Sequence, residues 1–281
     1  MKTIANIIRE GLSSHYPTGE VTALTRIIAT ELLGLSQMAF YLKDDITLTA
    51  EQETLLDNAI ERLKKHEPIQ YILGYSDFCG LRFKVTPATL IPRPETSELV
   101  EWVASEAAGK ERILDIGTGS GCIAVSLSHK MPQSKATAWD ISPEALAVAT
   151  ENSKANNCNV TFEQVDILAY EPTGEQFDII VSNPPYIKEF EKEAMHANVL
   201  DWEPHTALFV PNNDPLLFYR TIAEKGLTLL KPGGKLYFEI NRAHGKETME
   251  MLTTLGYTSI ELRKDIADND RMIRAVKNKL H

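Results

Sequence analysis

The chain has 281 residues, 43% of them hydrophobic and 24% charged, with a formal net charge of −10. That composition suits a globular protein with one large core and a smaller domain, and so acidic a balance argues against a general nucleic-acid binder while leaving room for a local basic patch. The three cysteines, Cys79, Cys122 and Cys158, are scattered and form no CxxC or Cys/His cluster; they read as reduced thiols of a cytosolic protein, and no metal site is expected.

The N-terminal stretch MKTIANIIREGL carries Arg9 and Glu10 inside its apolar pattern, which makes it an amphipathic helix and not a signal peptide. No apolar run approaches the roughly 18 residues of a transmembrane helix. Ile4, Ile7, Ile8 and Leu12, then Val21, Leu24, Ile27, Ile28 and Leu32, follow helical spacing, with Gly34 where a C-terminal cap would stand. Thr49 and Gln52 form a capping box ahead of the stripe Leu55, Leu56, Ala59, Ile60 and Leu63, and Pro68 is expected to end that helix. Residues 1–70 therefore read as a small bundle of four or five helices. The period then changes: Leu81, Phe83 and Val85 alternate with Arg82 and Lys84, punctuated by Gly74 and Gly80. This predicts a β-hairpin over 71–90 that joins the bundle to a larger domain at 91–281.

In that larger domain helix-like PETSELVEWVASEAA precedes strand RILDIG, helix CIAVSLSHK, strand ATAWD, helix PEALAVATENSKAN and strand VTFEQVD. Strand FDIIVSN and a long irregular stretch from 184 to 212 lead to helix DPLLFYRTIAEKGLTLL, strand GKLYFEI and helix GKETMEMLTTLG. The alternation argues α/β architecture, a mostly parallel sheet of seven strands covered by helices on both faces. Only IADND separates the final runs TSIELRKD and RMIRAVKN, so these must pair antiparallel as a hairpin at the sheet edge.

LDIGTGSG, residues 114–121, lies between a strand and a helix, where ligands of open α/β sheets bind. Gly117, Gly119 and Gly121 let a ligand approach the backbone. Their GxGxG spacing lacks the third glycine of the dinucleotide fingerprint, since Cys122 stands there, and no GxxxxGK[ST] occurs. Asp140 ends the next strand, where a carboxylate can accept both hydroxyls of an adenosine ribose. Asp115 is expected near an amino group or a sulfonium. Two carboxylates and no phosphate cradle suit a cationic nucleoside, S-adenosylmethionine. Asp166 either meets the adenine amino group, with Ile167 on the ring, or caps a turn.

After strand FDIIVS come Asn183, Pro184, Pro185 and Tyr186. Asn183 offers a carbonyl acceptor, and Pro184, without an N–H, offers another. Two neighbouring acceptors clamp a substrate NH₂, and Tyr186 can lay a flat face over a planar group. The chemistry served is methyl transfer to a planar amide or amine nitrogen, with orientation as the main gain.

GTGSG, NPPY and LIPRPET, together with EPIQYILGYSDFCGLRFKV and DWEPHTAL, resemble the HemK/PrmC family of peptide chain release factor glutamine methyltransferases over nearly the whole chain. The resemblance implies a class I S-adenosylmethionine-dependent methyltransferase (Rossmann-like) domain, an enzyme of the cytoplasm, monomeric, with no metal, membrane or direct nucleic-acid partner. It implies class I release factors as protein partners, docked by the N-terminal helices and methylated on the glutamine of their Gly-Gly-Gln motif. By position, Asn183, Pro184 and Tyr186 would be catalytic, and Asn183, Pro184, Pro185 and Tyr186 would hold the glutamine amide. The cofactor would lie against Asp115, Gly117, Thr118, Gly119, Ser120, Gly121, Asp140, Ile141, Asp166, Ile167 and Asn183. Ser97 departs from the family pattern, where an acidic residue follows the threonine. Arg93 and Thr96 either line the cleft or merely flank Pro94 as the first residue of a helix. Trp202, Glu203, Pro204 and His205 follow the corner in a long loop, of a kind that often serves as a lid; His205 reads as a turn residue and RLKKHE as a solvated helix end. The alternatives are a methyltransferase for another planar nitrogen, such as a ribosomal-protein glutamine or a nucleic-acid base, and a protein that binds S-adenosylmethionine without turnover.

Overall fold

The computed structural model describes residues 3–36, 47–174 and 176–279. They form two compact units, residues 1–74 with 196–202, and 75–195 with 203–281.

In the first unit helices α1 (Ile4–Leu12), α2 (Thr18–Ile27), α3 (Ala50–Leu63) and α4 (Ile69–Leu73) bury Ile8, Leu12, Ile28 and Leu63 in one cluster. A π-helical turn, Ile28–Leu32, continues directly from α2 and carries Ile28. The capping box is present: Gln52 N donates to Thr49 Oγ1 at 3.2 Å and Thr49 N to Gln52 Oε1 at 3.0 Å. The helix stops earlier than expected, at Leu63, and Pro68 instead opens α4 as its N-cap. The intervening RLKKHE is no plain solvated end, because Arg62 pairs at 2.5 Å with Glu67, whose side chain is 7% exposed.

The second unit is built on a seven-stranded sheet: β3 (Arg112–Ile116), β4 (Lys135–Asp140), β5 (Val160–Gln164), β6 (Phe177–Ser182), β9 (Leu230–Glu239), β10 (Thr258–Lys264) and β11 (Asp270–Val276). Their order is β10-β11-β9-β6-β3-β4-β5. The five strands from β9 to β5 are parallel, and β11 runs antiparallel to both β9 and β10, so the expected edge hairpin is there. Successive side chains point to opposite faces. Leu114, Ile180, Leu236, Phe238 and Ile273 therefore enter a core beneath α9 (Leu217–Leu229) and α10 (Gly245–Thr254). Ile113, Ile179, Val181, Tyr237 and Met272 enter another, against α5 (Pro94–Glu106) and α6 (Cys122–Lys130). Helix α7 (Pro143–Ala155) joins β4 to β5.

The hairpin β1 (Tyr75–Phe78) and β2 (Leu81–Lys84) forms as expected, but as part of the second unit and not as a free linker. Phe78 and Phe83 are buried in the α5–α6 core, and Lys84 N donates to Asn152 Oδ1 of α7 at 2.6 Å. Within the stretch expected to be irregular, β7 (Ile187–Lys188) and β8 (Phe209–Val210) pair in parallel, and the chain between them holds the short helix α8 (Ala197–Leu200) and two 3₁₀ turns. Among the described residues no helix is long and apolar enough to cross a membrane.

Candidate active site

Topology brings the two motifs together. From β3 the chain builds outward through β4 and β5, then returns to place β6 on the other side of β3. Such a reversal opens a crevice beyond the carboxyl ends of the strands. GTGSG leaves β3 and Asn-Pro-Pro-Tyr leaves β6, and these strands are neighbours with Ile116 opposite Ser182. Ser182 Oγ ties the two ends by donating to Ile116 O at 2.6 Å. A cavity of about 380 Å³ lies there, its walls including Gly117, Thr118, Gly119, Ser120, Asp140, Ile141, Asp166, Ile167, Asn183, Pro184 and Pro185.

The loop needs its glycines. Gly117, Gly119 and Gly121 have φ of 75°, 55° and 80°, a region that costs other residues about 1–2 kcal/mol. Gly121 does not line the cavity; it lets α6 approach α7, for a Cβ there would lie 3.0 Å from Ala149 Cβ. At Gly117 and Gly119 a Cβ would meet no atom within 4 Å, which leaves room beside the backbone for a ligand.

The three aspartates play different parts. Asp140 is on the wall; its Oδ2 accepts from Gly119 N at 2.8 Å and its Oδ1 from Ser142 N at 3.0 Å. Burial raises its pKa above the ordinary carboxylate value. Asp166 is also on the wall, two residues beyond the end of β5, with Oδ1 accepting from Leu168 N at 2.9 Å, so it is a turn residue and a cavity residue at once. Asp115 is fully buried and does not line the cavity. Strand alternation turns it to the Ile113 face, under α6, where its Oδ2 accepts from Thr118 Oγ1 at 2.6 Å and Ala124 N at 3.2 Å. It braces the loop from behind. Burial, with Asp140 nearby, pushes its pKa to about 7, and Oδ1 has no hydrogen-bond partner among the described residues.

At the corner, Asn183 Nδ2 lies 3.4 Å from Thr96 Oγ1, and Oδ1 has no hydrogen bond among the described residues. Tyr186 departs from expectation. It borders a second cavity of about 540 Å³ with Phe190, Asn241 and Arg271 and is not among the residues that line the first. Its carbonyl accepts from Asn241 Nδ2 at 3.2 Å, and burial raises its phenol pKa, so it remains protonated near neutrality.

Pro94 is the first residue of α5, and Arg93 and Thr96 also line the cleft, so both readings of LIPRPET hold together. Arg93 Nη2 donates to Glu203 Oε1 at 2.5 Å, and Ile91 N donates to Glu203 Oε2 at 3.2 Å. Glu203, read from sequence as an ordinary loop residue, has a side chain only 1% exposed. It fastens the segment whose Pro204, Thr206, Ala207 and Phe209 form further wall. Those residues, with Phe218 and Ile222 of α9, were missed; DWEPHTAL was the sequence signal for the first of them.

The chemistry of the wall fits S-adenosylmethionine. It is largely apolar, and the one cationic side chain among its lining residues, Arg93, is paired with Glu203. Ile141, Val165, Ile167 and Leu168 offer flat apolar contact beside the carboxylates of Asp140 and Asp166. Among the described residues no three His, Cys, Asp or Glu side chains converge as metal ligands would.

The methyltransferase small domain matches residues 95–201 and the PrmC N-terminal domain residues 8–74. A crystal structure of a methyltransferase from Pyrococcus furiosus shares the fold, with a TM-score of 0.54 at 22% identity over 79% of this chain and 99% of that one. The release factor glutamine methyltransferase of Bacteroides thetaiotaomicron is 51% identical over 98% of this chain and 99% of its own. That of Flavobacterium psychrophilum is 45% identical over 94% and 95%. With both halves matched and identity at this level along nearly the full length, the chain belongs to the release factor glutamine methyltransferase family.

Proposed function

We propose that this chain methylates the side-chain amide nitrogen of the glutamine in the Gly-Gly-Gln motif of class I peptide chain release factors. The observation that carries the proposal is at Asn183. Its amide nitrogen is taken up by Thr96, which leaves Oδ1 without a partner among the described residues, and Asn183 and Pro184 both line the cavity that the glycine loop also lines.

Asp140 would accept from ribose hydroxyls, Asp166 and Ile167 would meet the adenine, and Gly117 and Gly119 would lie against the remainder. When bound, S-adenosylmethionine supplies an electrophilic methyl on its sulfonium. The residues of this chain do the orienting. Asn183 Oδ1 and the Pro184 carbonyl accept the two N–H bonds of the glutamine amide and hold the nitrogen in one direction. Both prolines stiffen the acceptors. Once methylated, the amide nitrogen would release its proton to water, so no side chain of this chain need act as a strong base. Because Tyr186 faces the second cavity, its part is to hold the corner from behind rather than to stack on the glutamine. The N-terminal helices are the docking element for the release factor, and the acidic net charge suits a protein substrate better than a nucleic acid.

The test is transfer of labelled methyl from S-adenosylmethionine to a purified class I release factor, beside the same factor with its Gly-Gly-Gln glutamine changed to alanine. Label on the intact factor alone is expected. Equal label on both would place the methyl elsewhere and overturn the assignment.

A further inference from the structure

Asn183 is the end of a three-residue chain of hydrogen bonds. Its Nδ2 lies 3.4 Å from Thr96 Oγ1, and Thr96 Oγ1 donates to Glu239 Oε2 at 2.6 Å. The first contact is long, as such bonds often are before substrate is bound. The three residues come from the corner after β6, the first turn of α5 and the last position of β9. Thr96 is 2% exposed and Glu239 1%. Glu239 is not on the wall of the main cavity, so its effect must pass through Thr96.

Counting protons gives this chain a direction. A threonine hydroxyl has one proton. While Glu239 is ionised that proton goes to Oε2, and Oγ1 can only accept. Asn183 must then turn Nδ2 to Thr96, which keeps Oδ1 for the substrate. A protonated Glu239 can instead donate to Oγ1 and free the Thr96 proton for Asn183 Oδ1. The amide can then flip and present its NH₂ to a substrate NH₂, two donors facing each other. We infer that Thr96 and Glu239 are positioning residues that fix which end of the Asn183 amide meets the substrate nitrogen. This rests on the methyl-transfer reading above.

The surroundings of Glu239 make the device responsive to pH. Burial pushes its pKa up to about 7, against the opposing pull of Thr96, Arg271 of β11 and Arg93 ahead of α5, while Glu95 of α5 raises it. Tyr186, Tyr219 and Cys122 also face it, all with raised pKa and neutral near pH 7. Ionisation of Glu239 as pH rises through about 7 should therefore raise turnover.

The experiment measures methyl transfer to release factor at saturating substrate from pH 6 to 9, with cofactor binding measured separately by calorimetry. Thr96→Val is expected to lower kcat by about 10- to 100-fold while the Kd for S-adenosylmethionine moves by less than about twofold. Thr96→Ser should restore most of that rate. Glu239→Gln should lower kcat and abolish the rise through pH 7. A Thr96→Val enzyme at wild-type rate overturns the proposal. So does one that loses cofactor affinity in step with kcat, which marks a merely structural role. A pH rise that survives in Glu239→Gln overturns it too, and this arm decides the matter if Thr96→Val fails to fold. A wild-type enzyme inert on the release factor would instead sink the substrate reading.

Discussion

Arg93 and Glu203 stand 110 residues apart in sequence and 2.5 Å apart in space. Their ion pair fastens the LIPRP turn to the returning segment that closes one side of the cavity. Glu203→Ala removes the carboxylate from Arg93 and leaves Ile91 N–H without its acceptor. A buried donor left unpaired costs about 1–3 kcal/mol. The expected result is a lower thermal midpoint together with weaker binding of S-adenosylmethionine, read by calorimetry. Unchanged cofactor affinity would show that the 204–209 wall holds its place without this pair.

The glycines of the loop should separate by purpose. Gly121→Ala meets both a positive φ and Ala149, so it should cost stability first, on the order of 2 kcal/mol or more. Gly119→Ala carries only the strain of φ, about 1–2 kcal/mol, and its methyl enters the space left for ligand. Denaturant unfolding beside cofactor titration tests this. Gly121→Ala should show the larger loss of stability and Gly119→Ala the larger loss of affinity relative to its stability, and the reverse order would refute the division.

Asp115 makes stability depend on pH. Its pKa rises from the ordinary 3.8 to about 7 through burial. Between those values the folded chain binds more protons than the unfolded one, so this residue's contribution falls as pH rises through the window. Asp115→Asn cannot titrate and can still accept from Thr118 and Ala124. Its stability relative to wild type should climb between pH 4 and pH 8, by an amount on the order of a few kcal/mol. Thermal melts without cofactor check this; a constant difference across that range would show that Asp115 is not protonated in the fold.

Much of the fold was legible because local signals agreed with long-range packing. CIAVSLSHK is α6 residue for residue, and the short IADND link forced the antiparallel edge. The loop and the corner were legible as motifs, since Gly and Pro fix backbone geometry wherever they occur. What sequence could not show was which way a side chain turns at the end of a strand. Asp115 and Asp140 look alike as strand-end carboxylates. Only the pairing of β3 with both β4 and β6 puts one beneath the sheet's helix and the other on the cavity. Glu203 and Glu239 gave no local signal, because each owes its role to a partner more than a hundred residues away.

The central claim is that Asn183 acts chiefly by orienting the substrate nitrogen. Asn183→Ala decides it most directly, with calorimetric titration of S-adenosylmethionine run beside single-turnover methyl transfer to the release factor. The predicted result is cofactor affinity within a few-fold of wild type and transfer slowed by about 100-fold or more. Transfer at near wild-type rate, or cofactor affinity lost in proportion to transfer, would contradict the account.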